Sequence, residues 1–262
     1  MIALALAAPL FGDPYAITLD GLTATGLPKG VGSSGHLLGT DQLGRDMLAR
    51  TAYGARASLE IAFISNITSV GIGTIVGLVA GFYRGWIEQV LMRITDIFLS
   101  VPTVISGLAL AATLGTGISG IVIVVTALYW AWTARIVFGE TLALRKRTFV
   151  EAAIAQGARG HTVMRRHILP NMASLILTLA ALNGATVVSI GSGLAYLGAG
   201  IQPPRPEWGN MLAEGQDSLD LTPHLLLVPL VCVVLTVFSF VLIGEALSRR
   251  GSVSLRRSWL DI

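Results

Sequence analysis

Glu151–Asn171, EAAIAQGARGHTVMRRHILPN, lies between two long apolar spans, and its reading decides the fold. Ala152 and Ala153 remove side-chain bulk, so a helix beginning at Glu151 can lie close against another surface. Gly157 permits a sharp change of direction between two short helices, at a cost of about 1 kcal/mol relative to alanine in a helix. Pro170 has no amide donor and suits the first turn of the next membrane helix. Arg159, Arg165 and Arg166 keep the element at the aqueous face. Small residues, a hinge glycine and flanking charge together describe a docking element at a membrane surface.

Composition places the rest of the chain in lipid. Hydrophobic residues make up 53% and charged residues 13% of the 262 positions, where an average soluble domain has roughly 25% charged residues. The 30 glycines are scattered through apolar segments, as in membrane helices. A net charge of +3 is too small to argue for nucleic acid, and no basic patch interleaves with aromatics. Cys232 is the only cysteine, so neither an intrachain disulfide nor a thiolate metal cluster can form.

The uncharged runs give the spans. Ile61–Phe82 predicts one helix. Ile97–Ala134 is too long for a single crossing, and Gly115-Thr116-Gly117 divides it into two short helices. Met172–Pro204 predicts a helix with a re-entrant or interfacial continuation, and Leu225–Gly244 the last span. Met1–Phe11 is apolar but short, and lacks both a basic n-region and an A-x-A cleavage site. It is read as the second half of a first transmembrane helix. The expected fold is therefore an all-α polytopic membrane protein with five clear transmembrane helices plus a truncated first helix. Its expected parts are a partial first helix (1–11), an extracytoplasmic loop (12–57), a transmembrane domain (58–247) containing a cytoplasmic loop (140–171), and a cytoplasmic tail (248–262).

Lysine and arginine set the orientation. With the loop after Arg135 inside, thirteen of the 18 basic residues fall on the cytoplasmic side, close to helix ends, as the positive-inside rule requires. The outer segment Gly200–Pro223 then carries Glu207, Glu214, Asp217 and Asp220 against Arg205 alone.

Within the spans, Gly73, Gly77 and Gly81 recur every fourth residue and leave one helix face bare for close packing. Pro102 and Pro229 are expected to kink or open their helices. Arg93 and Asp96, three apart, are placed to pair on one face. Asn66, Thr68, Asn183, Thr186 and Ser189 are polar residues at membrane depth, candidates either for lining a pathway or for hydrogen bonds between helices. Catalytic signatures are missing. The two lysines, Lys29 and Lys146, fit no phosphate loop, and no H-E-x-x-H or G-x-S-x-G occurs. The four histidines, His36, His161, His167 and His224, have no metal-pair spacing.

The loop resembles the EAA loop of ABC importer permeases. That pattern is E-A-A, three residues, G, nine residues, usually Ile, any residue, then L-P. Glu151, Ala152, Ala153, Gly157, Leu169 and Pro170 match it in register, and His167 stands where Ile is usual. The string His167-Ile168-Leu169-Pro170-Asn171 resembles instead the dipeptide, oligopeptide and nickel branch. Leu38–Asp46 (LGTDQLGRD) and Tyr196–Pro204 (YLGAGIQPP), the latter continuing to Trp208-Gly209-Asn210-Met211-Leu212, support that branch and its C-type subunit. The resemblance runs from about Leu38 to Leu247.

It implies a type I ABC importer permease bundle in the bacterial cytoplasmic (inner) membrane, with the EAA loop and C-terminus cytoplasmic. It also implies partners: a homologous second permease, two ATPase subunits or domains, and an extracytoplasmic substrate-binding protein. No cofactor is expected in this chain, ATP and Mg being bound by the ATPases. Peptides are the expected cargo, with nickel or another non-peptide solute as the alternative. A secondary transporter is disfavoured by the uncharged spans.

Overall fold

Water is absent from the bilayer core, so a spanning segment must satisfy its backbone polar groups internally, and an apolar chain of this kind folds as helices. The computed structural model describes residues 1–18, 20–115 and 117–257, with side chains described through Arg249. Eleven α-helices are named here in chain order: α1 (Ile2–Leu6), α2 (Met47–Tyr83), α3 (Gly85–Ser100), α4 (Thr103–Leu114), α5 (Ile118–Arg145), α6 (Thr148–Ala155), α7 (Gly160–Val163), α8 (Leu169–Asn171), α9 (Ala173–Leu194), α10 (Trp208–Gln216) and α11 (His224–Arg257). A 3-10 turn, Ala8–Phe11, follows α1. The described residues contain no strand, only isolated bridges such as Thr40–Asp46 in the segment before α2.

Four helical segments are long and apolar enough to cross a membrane: Met47–Tyr83, Ile118–Arg145, Ala173–Ala199 and His224–Arg249. A fifth exists only if α3 and α4, bent by 95° at Val101-Pro102, count as one broken span. This revises the sequence reading in three places. The apolar run from Ile97 is not a helix start, because α3 already begins at Gly85. At 12 residues α4 is about 18 Å long, well short of a roughly 30 Å core. Finally, α2 begins at Met47, so the irregular segment ends at Asp46 rather than at residue 57.

Pro102 breaks the chain between two helices, whereas Pro229 lies inside a continuous α11. Thr116 of the expected turn and residues 258–262 of the expected tail lie outside the described residues. The stretch 140–147 of the expected loop is largely the end of α5.

The chain divides into two compact units. The first comprises Met1–Ile64, Gly107–Val124 and Thr186–Phe238, and the second Ser65–Ser106, Val125–Ala185 and Ser239–Ile262.

In the second unit α2 and α5 touch along the glycine stripe. A Cβ at Gly77 would sit 2.5 Å from the Ala134 carbonyl oxygen and 2.8 Å from the Phe138 nitrogen, and Gly73 and Gly81 face Thr133 and Thr141 as closely. Asp96 pairs at 2.9 Å with Arg135 of α5, not with Arg93 as their spacing suggested. The helix-to-helix partner is in better reach than the one on the same helix.

In the first unit Trp208 anchors α10 to α2. Its ring is fully buried, and its Nε1 donates to the Thr51 carbonyl at 3.1 Å. Glu207 caps α10: its carboxylate accepts from the Gly209 and Asn210 amides and from the Ser58 hydroxyl of α2. Burial raises the Glu207 pKa above the ordinary carboxylate value, against the pull of these three donors. Arg50 is also buried, 2.6 Å from Glu214 and 3.2 Å from Asp41, while Asp41 holds Arg45 at 2.6 Å. Removing Asp41, the buried carboxylate between the two arginines, costs about 3–5 kcal/mol.

Four substitutions test this packing. Gly77→Val should lower the stability of the detergent-solubilised protein by about 1–3 kcal/mol through overpacking. Gly71→Ala, where an added Cβ meets nothing within 4 Å, should not lower it and should raise it by up to about 1 kcal/mol of helix propensity; thermal unfolding measures both. Glu207→Ala, which strands three donors, should cost about 2–4 kcal/mol. A raised carboxyl pKa gives a contribution that is fully present below the ordinary value and lost as pH rises through the raised one. Glu207→Gln should therefore flatten the upper limb of the melting temperature against pH, and an unaltered profile would refute the assignment.

Candidate functional site: the helix–glycine–helix loop

After α5 ends at Arg145, the chain turns through Lys146-Arg147 into α6. Val150 and Ala153, three residues apart, fall on one face of α6 and are buried. They join Phe82, Val137, Leu144, Val163, Met164, Ile168 and Met172 in one apolar cluster. The opposite face is exposed and carries Glu151, Ala152 and Ala155, with Phe149 and Ile154 each about 40% accessible (42% and 41%). The E-A-A triplet is thus divided: Ala153 holds the loop to the membrane helices, and Glu151 and Ala152 face outward.

Gly157 ends α6. Its φ of +81° is the left-handed conformation that glycine adopts without strain. The Ala158 amide donates to Ala153 O at 3.1 Å and the Gly157 amide to Ile154 O at 3.0 Å, the paired bonds of a Schellman cap. The chain then enters α7, a π-helical turn Met164–Ile168, and α8. Pro170 occupies the first turn of α8, and Asn171 Nδ2 donates to His167 O at 2.6 Å. His167 and Leu169 are half-buried, Pro170 is exposed, and Ile168 beside them is fully buried. Arg145 stacks its guanidinium 5.5 Å from the Phe82 ring centre, tying the end of α5 to the end of α2.

Asn66 Nδ2 donates to Ala180 O at 2.8 Å, and Asn183 Nδ2 to Asn66 Oδ1 at 3.3 Å and Ser69 Oγ at 3.1 Å. Thr68 and Thr126 share a 2.7 Å hydroxyl contact. These three candidates bond helix to helix within the second unit. Thr186 and Ser189 belong to the first unit and are exposed on α9. Sequence reading noted Glu207, Trp208 and Glu214 only as acidic or motif residues and assigned no role to their contacts with α2 or to the Arg50–Glu214 pair. Only the Asp41/Arg45 spacing of four had a local signal; the other partners lie more than a hundred residues apart. Among the described residues no group of three His, Cys, Asp or Glu is placed to hold a metal ion.

Residues 73–252 match the family model described as binding-protein-dependent transport system inner membrane component. The glutathione transport system permease protein GsiD of Pectobacterium atrosepticum is 38% identical over 215 residues, covering 82% of this chain and 71% of that protein. The GsiD of Shigella dysenteriae is 39% identical over 212 residues, covering 81% and 70%. Among solved structures, an inward-facing form of the MetNI methionine ABC transporter superposes with a TM-score of 0.65 at 19% identity, covering 78% of this chain and 97% of that one. An amino acid ABC transporter crystallised with histidines gives 0.59 at 14% identity, covering 77% and 94%. At these identities the structural likeness is one of fold, and the family rests on the sequence matches. The chain belongs to the binding-protein-dependent transport system inner membrane component family, as a non-catalytic, membrane-spanning permease subunit of an ABC importer of the dipeptide/oligopeptide branch.

Proposed function

We propose that this permease passes short peptides across the cytoplasmic membrane. In this reading α6 is the coupling helix, seated in a groove of a separate ATPase subunit. One observation carries it: α6 turns an apolar face, Val150 and Ala153, into the cluster formed with α2 and α5, and leaves Phe149, Glu151, Ala152 and Ile154 outward. Exposed apolar side chains beside one carboxylate fit an apolar groove with a basic rim. A helix pinned on its inner face transmits a push as a rigid body. ATP binding that closes an ATPase pair would therefore move α2 and α5 through this contact.

The loop and C-terminus are assigned to the cytoplasm by the arginine bias, and residues 12–46 to the opposite side. The working complex comprises this chain, a homologous permease, two ATPase subunits or domains with their ATP and Mg, and an extracytoplasmic substrate-binding protein. Thr186 and Ser189, exposed on α9, are the polar groups assigned to the pathway; Asn66, Thr68 and Asn183 are assigned to helix packing. The relatives named for glutathione transport support a peptide-type cargo.

In proteoliposomes holding the whole complex, Glu151→Lys should reverse the charge presented to the ATPase. Gly157→Val should strain the turn, which is left-handed in this chain. Each is expected to reduce ATP-driven peptide uptake at least about tenfold, equivalent to about 1.4 kcal/mol of coupling, and to weaken co-purification with the ATPase. Wild-type uptake together with wild-type ATPase association in both variants would reject the coupling assignment.

A further inference from the structure

The first unit carries a cleft that the coupling reading does not use. It is an open cleft of about 400 Å³, lined by residues that include Tyr15, Tyr53, Arg56, Glu60, Arg205 and Pro206. Tyr53, Arg56 and Glu60 share one face of α2. Arg205 and Pro206 come from the segment before α10, and Tyr15 from the segment before α2. The Arg56 guanidinium lies 5.9 Å from the Tyr53 ring centre.

Arg56 has this ring contact, but the charges in the cleft are not paired with one another. Arg56 and Glu60 have opposite sign and stand four apart on a helix, a spacing that commonly pairs. Yet no ion pair among the described residues includes Arg56, Glu60 or Arg205. Arg45 and Arg50, in contrast, are both matched to carboxylates.

Two guanidiniums and one carboxylate lining one concave site, none of them ion-paired, complement a ligand with two carboxylates and one ammonium. An inorganic anion would be repelled by Glu60, and a simple cation by both arginines. A peptide of two or three residues with free termini and one acidic side chain has the required charges, and a cleft of this volume accommodates a ligand of that size. The phenol rings of Tyr15 and Tyr53 add flat faces and hydroxyls for its amide planes.

We propose that this cleft is a peptide-recognising subsite of the permease, selective for short acidic peptides, in which Arg56 and Arg205 take the two carboxylates and Glu60 the ammonium. The proposal rests on the peptide reading above and adds a selectivity that resides in this chain rather than in the binding protein.

The test is equilibrium dialysis of labelled alanyl-glutamate, alanyl-glutamine and N-acetyl-alanyl-glutamate against the permease–ATPase complex in nanodiscs, with the binding protein omitted. The expected result is saturable binding of alanyl-glutamate, weakened about fivefold by Arg56→Gln and by Arg205→Gln, with preference over alanyl-glutamine lost. Glu60→Gln should weaken alanyl-glutamate but not the N-acetylated peptide, which loses only a repulsion. Absence of saturable binding, or equal effects of each variant on all three peptides, overturns the subsite. ATP-driven uptake by the complex with its binding protein separates the two readings. Peptide uptake without cleft binding overturns the subsite alone, whereas binding with the expected pattern but no peptide uptake upholds the subsite and overturns peptide transport.

Discussion

The close approach of α2 and α5 is the constraint on which the functional loop depends. Between apolar helices in lipid there is no hydrophobic driving force, so association comes from packing and requires backbones to come near. Gly73, Gly77 and Gly81 supply that approach, with Thr133, Ala134 and Thr141 of α5 in the space where side chains would otherwise stand. The stripe ends at Gly81, and the next residue, Phe82, opens the apolar cluster that receives Val150, Ala153, Val163 and Ile168. Helix packing in the membrane and anchoring of the loop are therefore one continuous contact. A displacement imposed on α6 has a stiff route into the two helices it rests on.

The first unit is organised by a different means. Its helices α2 and α10 are joined by groups that would be costly to bury singly: the Trp208 indole, the Glu207 carboxylate and the Arg50 guanidinium. Each has a named partner on the other helix, so burial strengthens those bonds, although Arg50 Nε and Nη1 make no hydrogen bond. Glu207 serves two ends at once, satisfying the first amides of α10 and holding Ser58 of α2. The Arg56, Glu60 and Arg205 cleft differs in leaving its charges open to solvent.

The loop was legible because its determinants are local. Gly157 can be read as a turn from residue type alone, since a φ of +81° favours glycine; Pro170, expected in the first turn of the next membrane helix, sits instead in the short α8, before α9 begins at Ala173. The glycine stripe was legible through its period of four. By contrast α3 went unread, because Glu88, Arg93 and Asp96 interrupt the apolar run that a hydropathy reading follows. Its amphipathic character shows only once the helix is known to start at Gly85. The Arg93–Asp96 pairing failed for a related reason: spacing reports which groups can meet on one helix, not which group a second helix brings closer.

The sequence by itself determined the membrane class, the helix–glycine–helix loop, the family and the absence of local catalytic signatures. All of these are written in short-range patterns of charge, period and residue type. Tertiary structure alone decided that Ala153 faces inward while Glu151 and Ala152 face out, and that Asn66 and Asn183 bond helix to helix. It alone brought Arg50 to Glu214 and collected Tyr15, Arg56 and Arg205 around one cleft. Those outcomes depend on which helix faces which, and that is set by packing between residues far apart in the chain.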